Sequence, residues 1–258
     1  MKKDLAGDSR GHEMDPAEWE ARCDLAAAYR LVAHFGWDDL IGTHLSARIP
    51  GREEFLINPL GLMFDEITAS SLVKVNLEGE ILQQTEYSIN RAGYIIHSAV
   101  HAAREDLHCV IHLHTQDGVA VSSTQEGLLP LNQSAMIIRA HLARHAYEGV
   151  ATNEEERERL VADLGNARAM LLDNHGTLYV GKTVAEAFQH AYMLEWACTT
   201  QVRTLSMGLT LQQADADTVN QTEATLDSFG TDFDYICEGL VWPAVLRKLE
   251  RINSDYRI

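Results

Sequence analysis

His108-Cys-Val-Ile-His-Leu-His114 has the make-up of a buried strand, because Val110, Ile111 and Leu113 are apolar and mostly β-branched. Residues two apart on a strand share a face. His112 and His114 therefore present two imidazoles side by side, while Ile111 and Leu113 face the opposite core. Two neutral imidazoles on one rigid face suit a divalent transition metal. The alternative is a pair of histidines at a strand's polar end, bonded to carbonyls or water.

Working outward, Ala169–Leu172 and Thr177–Val180 read as strands around the turn Asp173-Asn-His-Gly176. His175 is the best third ligand in that setting, since glycine behind it leaves room for a metal. It is otherwise an ordinary solvated turn histidine. Tyr94–Arg104 has helical periodicity, which sets His97 and His101 on one face at i, i+4. Ser98 stands where His-Glu-x-x-His would carry its glutamate. We expect His97 to face the core or the site and His101 to face outward. His44, near a strand start, is placed to line a pocket.

The rest of the chain alternates strands, hairpin signals and separated helices. Residues 1–14 read as a loose tail. Asp15-Pro16 caps a helix that runs to Phe35 and stops at Gly36. Leu40–Ile49 reads as strand, turn and strand. Glu78-Gly79 separates Val73–Leu77 from Glu80–Leu82 as a hairpin. Asn153–Leu164 and Thr183–Met207 read as helices, and a last one lies near Pro243–Ile252. This is an α/β pattern with a mainly antiparallel or mixed sheet. One domain is expected over residues 15–208, with residues 209–258 an extension for oligomer contacts.

Composition excludes several classes. The 258 residues are 46% hydrophobic, as in globular proteins, and 21 Lys plus Arg against 38 Asp plus Glu give a formal charge of -17. Such an acidic surface argues against nucleic acid and anionic membrane as partners. No apolar run approaches the roughly 20 residues that span a bilayer, and the polar start is not a secretory signal. Cys23, Cys109, Cys198 and Cys237 are scattered without a Cys-x-x-Cys pair, which suits a reducing cytoplasm. Neither a Gly-rich phosphate loop nor a Gly-x-Ser-x-Gly elbow occurs.

Several motifs occur together and in order: Gly42-Thr-His-Leu-Ser-Ala-Arg48, Asn58-Pro-Leu-Gly61, His97-Ser-Ala-Val-His-Ala-Ala-Arg104, Cys109-Val-Ile-His-Leu-His114, Asp173-Asn-His-Gly176 and Val180-Gly-Lys-Thr-Val-Ala-Glu-Ala-Phe188. Over residues 20–210 this pattern resembles the class II aldolase/adducin family. The resemblance implies a three-layer α/β/α sandwich around a central, mainly antiparallel sheet. It also implies a homotetramer with active sites between subunits, and a metal held by His112, His114 and His175. Zinc is the usual ion, with manganese in some members.

The chain departs from the family's sugar-phosphate aldolases at one place. Those carry Ser-Ser-Glu upstream of the His-x-His strand, the serines for substrate phosphate and the glutamate as acid/base. Here the stretch reads Arg91-Ala-Gly93. Loss of a positioned acid/base typically costs 10²–10⁴-fold in rate. The segment is closer to the adducin-like branch. Two functions follow. The first is a metal-dependent lyase, aldolase- or decarboxylase-like, that acts on a small hydroxy or keto compound through a metal-stabilised enediolate. In it Arg48 and Arg91 would clamp a carboxylate, His44 would bind substrate, and Tyr94 and His97, with Tyr87, would be the proton donors to consider. The second is an interaction module that keeps the fold without the catalysis.

Overall fold

Asp15 accepts a hydrogen bond from the Ala17 N–H at 3.0 Å, with Pro16 following, so helix α1 (Pro16–Phe35) begins where the capping chemistry places it. It ends at Gly36, whose φ of 69° is left-handed. The computed structural model describes residues 14–149 and 154–258. The tail expected over residues 1–14 lies outside them but for Met14, and so does the helix start expected at Asn153.

Strands β1 (His44–Arg48), β2 (Phe55–Ile57), β3 (Val73–Val75), β4 (Cys109–Leu113), β5 (Leu142–His145), β6 (Ala169–Leu172) and β7 (Gly176–Gly181) form a single sheet. Its order is β3-β2-β1-β4-β7-β6-β5. Every pairing is antiparallel except β5 with β6. That parallel pair needs a crossover, which helix α5 (Glu154–Leu164) supplies. Helices α2 (Arg91–Ala103), α3 (Gln116–Ser122), α4 (Gln133–Arg139) and α6 (Val184–Ser206) complete the main body.

Alternation along the strands divides the core into two layers. Cys109, Ile111, Leu113 and Tyr179 join α1 and α6 on one face. Val110, Leu178, Val180 and Met170 join Ile96 and Val100 of α2 and Leu160 of α5 on the other. The result is the expected α/β/α sandwich. The chain beyond residue 208 forms α7 (Ala216–Glu223), α8 (Thr225–Phe229), α9 (Thr231–Asp234), a π-helical stretch (Tyr235–Val241) and α10 (Trp242–Ile252). Trp242, Leu249 and Tyr256 enter the α1/α6 core. Backbone bonds from Ala69 and Ser70 to the Tyr256 and Ile258 carbonyls tie the chain end to the body.

Some local expectations change. Leu40–Ile49 holds one strand, because Leu40 (φ 49°) and the Gly42 N–H to Asp39 carbonyl bond make its first part a turn. After Glu78-Gly79 only Ile81 bridges back to Val75. The hairpin is short: backbone bonds join Asn76 to Glu80 and Leu82 to Lys74, and the Asn76 side chain accepts from the Glu78 and Glu80 N–H groups in the turn. Strand β5 and helices α4, α7 and α8 occupy stretches without a strong periodic signal. All four cysteines are buried free thiols. No described helix is long and apolar enough to cross a membrane.

Candidate metal centre

His112 shares the face of Val110 on β4, and His114 lies just beyond the strand's end. His175 sits in the turn between β6 and β7, the strand that pairs with β4 with Leu113 opposite Thr177. That turn is sterically dictated. Asn174 is left-handed at φ 54°, a conformation asparagine tolerates. A β-carbon on Gly176 would lie 2.3 Å from the Leu113 carbonyl oxygen. These constraints bring three imidazoles together. His114 Nε2 is 2.9 Å from His112 Nε2 and 3.0 Å from His175 Nε2, and one ligand atom from each residue lies within 4.8 Å of the others.

His112 Nδ1 donates to the Thr177 carbonyl at 2.9 Å, and His114 Nδ1 donates to Asp39 Oδ2 at 3.0 Å. In a neutral ring such an outer acceptor holds the proton on Nδ1 and leaves Nε2 as a lone pair. Burial and the neighbouring imidazoles push His112 well below the ordinary histidine range, and burial pushes His175 to about 4. Neutral rings with converging lone pairs repel one another unless an electrophile sits between them. Two imidazoles on one tetrahedral zinc have nitrogens roughly 3.3 Å apart, close to the spacing seen. The donor set fits a divalent transition metal of zinc type.

Beside the trio lies a second, deeper group of histidines. His44 is opposite His112 in the β1–β4 register, and their rings stack with centroids 6.2 Å apart. The His97 ring stands edge-on to His44 at 5.9 Å. Ser46 Oγ bridges His97 Nδ1 at 2.6 Å and His101 Nε2 at 2.8 Å. His101 is therefore fully buried, not outward as its helical position suggests: α2 is flanked on this side by β1, whose Ser46 offers it a partner. Both His44 nitrogens and His97 Nε2 are buried without a partner among the described residues. Gly93 explains the packing. A β-carbon there would lie 2.4–2.5 Å from three atoms of the His44 ring, so that imidazole fills the space where a side chain at 93 would begin.

Among the described residues, no hydrogen bond or ring contact joins the other residues singled out from the sequence to the trio. The Tyr94 hydroxyl donates to the Leu77 carbonyl, and its ring stacks on Phe55. Tyr87 packs in the same small apolar cluster. Arg48, at the opposite end of β1 from His44, donates to the His101 carbonyl. It lines a cavity of about 180 Å³ with Glu20, Asp24, His108 and Lys182. Arg91 is exposed at the first turn of α2. Sequence reasoning missed two residues, Asp39 beside the centre and Glu195 on α6. Asp39 is one of several surface acids until its bond to His114 is seen. Glu195 could have been suspected as the acid among Ala191, Leu194, Ala197 and Cys198 on the buried stripe of α6.

Neutral buried histidines away from the trio predict acid sensitivity. Burial pushes His101 down to about 3 and His190 to about 4, below the unfolded value of about 6.5. The unfolded chain therefore binds more protons as pH falls. The stability these groups provide is complete above pH 6.5 and is lost on descending toward pH 4 and then 3. Denaturant unfolding at a series of pH values is expected to show a loss of about 1.4 kcal/mol per pH unit for each titrating group. Burial pushes the Asp24, Glu186 and Glu195 carboxyls up and so opposes this slope; NMR titration that finds either ring protonated above pH 6 would contradict their burial as neutral rings.

The model of the "Class II Aldolase and Adducin N-terminal domain" matches residues 23–202. The chain belongs to the class II aldolase and adducin family. Within the family it is 55% identical over 249 residues to a Caulobacter vibrioides protein named "Putative aldolase class 2 protein", covering 95% of this chain and 94% of that one. It is 45% identical to rat alpha-adducin over 196 residues, which is 74% of this chain and 26% of the adducin. An aldolase II superfamily structure from Pseudomonas syringae superposes with a TM-score of 0.89 at 47% identity, over 98% of this chain and all of that one. The L-fuculose 1-phosphate aldolase of Glaciozyma antarctica superposes at 0.78 with 27% identity, covering 93% of each chain.

Proposed function

We propose that the chain is a metal-dependent carbon–carbon lyase, aldolase- or decarboxylase-like, for a small hydroxy or keto carbonyl or carboxylate compound. The supporting observation is the convergence of the Nε2 atoms of His112, His114 and His175, with two of the rings held by outer acceptors. A divalent ion bound there, zinc first and manganese as the alternative, would act as a Lewis acid on a substrate carbonyl or carboxylate oxygen. Three protein ligands leave a position for substrate, unlike a closed structural site.

The chain's own residues divide the remaining work. Asp39 and the Thr177 carbonyl orient the ligand rings. His44 fills the place of a residue-93 side chain, so we assign it the substrate-facing and proton-holding role that Gly93 cannot take. His97, edge-on to His44, supports it from behind. Tyr94 is a weaker choice, because its hydroxyl is engaged by the Leu77 carbonyl. With Arg91-Ala92-Gly93 in place of a phosphate cradle and acid, decarboxylation is favoured over cleavage of a sugar phosphate: it needs an electron sink but no base to begin. Arg91, at the α2 start two residues from Gly93, is the better carboxylate clamp than Arg48. We further propose a cytoplasmic homotetramer. Exposed Leu40 and Ile41, next to Asp39, are suited to a subunit contact at the site.

The identity with alpha-adducin favours a second reading, an interaction module without turnover. Elemental analysis and a substrate screen separate the two. The lyase should carry about one divalent ion per chain and release CO₂ or aldehyde from a hydroxy or keto acid. A folded, metal-free chain would refute it. A metal-bearing chain that turns over neither class would favour the interaction module.

A further inference from the structure

We infer that Glu195, on the opposite face of the sheet from the imidazoles, is a positioning residue that tunes metal affinity at the three-histidine centre; the inference rests on that reading of the centre. Glu195 is 2% exposed, in the middle of α6. Its carboxylate accepts three hydroxyl hydrogen bonds: from Thr115 Oγ1 at 2.5 Å, from Thr177 Oγ1 at 3.1 Å and from the Tyr179 hydroxyl. No cation pairs with it among the described residues. A buried carboxylate in that condition carries a desolvation cost that hydroxyls offset only in part.

The three donors are not scattered. Thr115 directly follows His114 and caps α3 through the Gly118 N–H at 3.1 Å. Thr177 lies two residues after His175, and its carbonyl holds His112 Nδ1. Tyr179 continues the same strand. Each of the three ligands is thus joined to a Glu195 partner by one or two residues or by one hydrogen bond. The packing around the carboxylate is close: a β-carbon on Gly118 would lie 2.6 Å from Thr115 Oγ1 and 3.4 Å from Glu195 Oε1. Glu195 clamps the ends of β4 and β7 from below, and it places a negative charge beneath ligands that are themselves neutral. A divalent cation bound above supplies the positive charge that the protein omits.

Glu195→Gln tests this without emptying the site. The amide oxygen can keep the Thr177 and Tyr179 bonds. The amide nitrogen can donate to Thr115, whose hydroxyl then reverses its role. Metal-free protein should melt at the same temperature as the parent or higher, because an unpaired buried charge is gone. Zinc affinity, read by chelator competition, should fall about 10–100-fold, the usual size of an outer-partner effect. The absorption spectrum of the cobalt-loaded protein should change. A packing role alone predicts the reverse, a lower metal-free melting temperature with zinc affinity and cobalt spectrum unchanged, and would overturn the inference. Thr177→Val keeps the carbonyl on His112 and removes one donor. It should lower zinc affinity in the same direction by a smaller factor, and it decides the matter if the Gln variant does not fold. If parent and variants bind zinc equally, only the inference fails. If the folded parent binds no zinc or cobalt, the three-histidine reading fails and the inference falls with it.

Discussion

Alanine at His114 is expected to strip the metal from the protein while leaving it folded. His114 stands beyond the end of β4 with its side chain 23% exposed, so the space it leaves opens to solvent. Its Nε2 is the central one of the three, within 3.0 Å of both others. Loss of a ligand should exceed the 10–100-fold that loss of an outer partner costs. The variant should purify with well under one ion per chain and show no lyase turnover. His112→Ala should do the same, with an added stability cost, because His112 is buried and bonded to the Thr177 carbonyl. Circular dichroism and thermal melting beside elemental analysis separate the two effects. Parental metal content in His114→Ala would exclude His114 as a ligand.

Gly93→Glu is expected to destabilise the protein rather than equip it with an acid. A β-carbon at 93 would overlap the His44 ring at 2.4–2.5 Å, and any shift of that ring disturbs its neighbours, His112 stacked at 6.2 Å and His97 edge-on at 5.9 Å. Overpacking of this kind costs about 1–3 kcal/mol, and sometimes more. For a chain of this size that lowers the melting temperature by roughly 2–4 °C per kcal/mol. The two positions should be coupled. His44→Ala combined with Gly93→Glu should melt higher than the sum of the single effects predicts, by about 0.5–3 kcal/mol. Parental melting of Gly93→Glu alone would show that the His44 ring moves freely, and would remove the steric account of this centre. Glycine at 93 and histidine at 44 are thus one structural choice, not a lost residue beside an unrelated one.

Sequence periodicity identified what depends on local geometry. The two-residue period of a strand places His112 and His114 on one side wherever the strand lies. Asp15-Pro16 and Gly36 bound α1 through their own backbone chemistry. The Asn174-His175-Gly176 turn is legible because glycine and asparagine accept backbone conformations that other residues resist. Helix α6 shows the same logic, with Thr183 as its N-cap. Strand β5 escaped because its residues, Leu142-Ala-Arg-His145, are mostly half-exposed at a sheet edge and do not alternate. Helices α7, α8 and α9 escaped because polar composition hides a structure that only contacts with the body stabilise, whereas the apolar spacing of α10 was legible.

The sequence by itself determined the sheet-and-helix plan, the imidazole pair at the end of β4, a third histidine in the turn and the glycine at 93. The tertiary structure alone decided which neighbours those groups keep. Strand pairing sets His44 against His112, and Ser46 makes His101 an interior residue. The loop before β1 brings Asp39 to His114, 75 residues away along the chain. Packing of α6 beneath β4 and β7 places Glu195 under the ligands. These are contacts between distant segments, fixed by register and close packing, and no local pattern of residues encodes them.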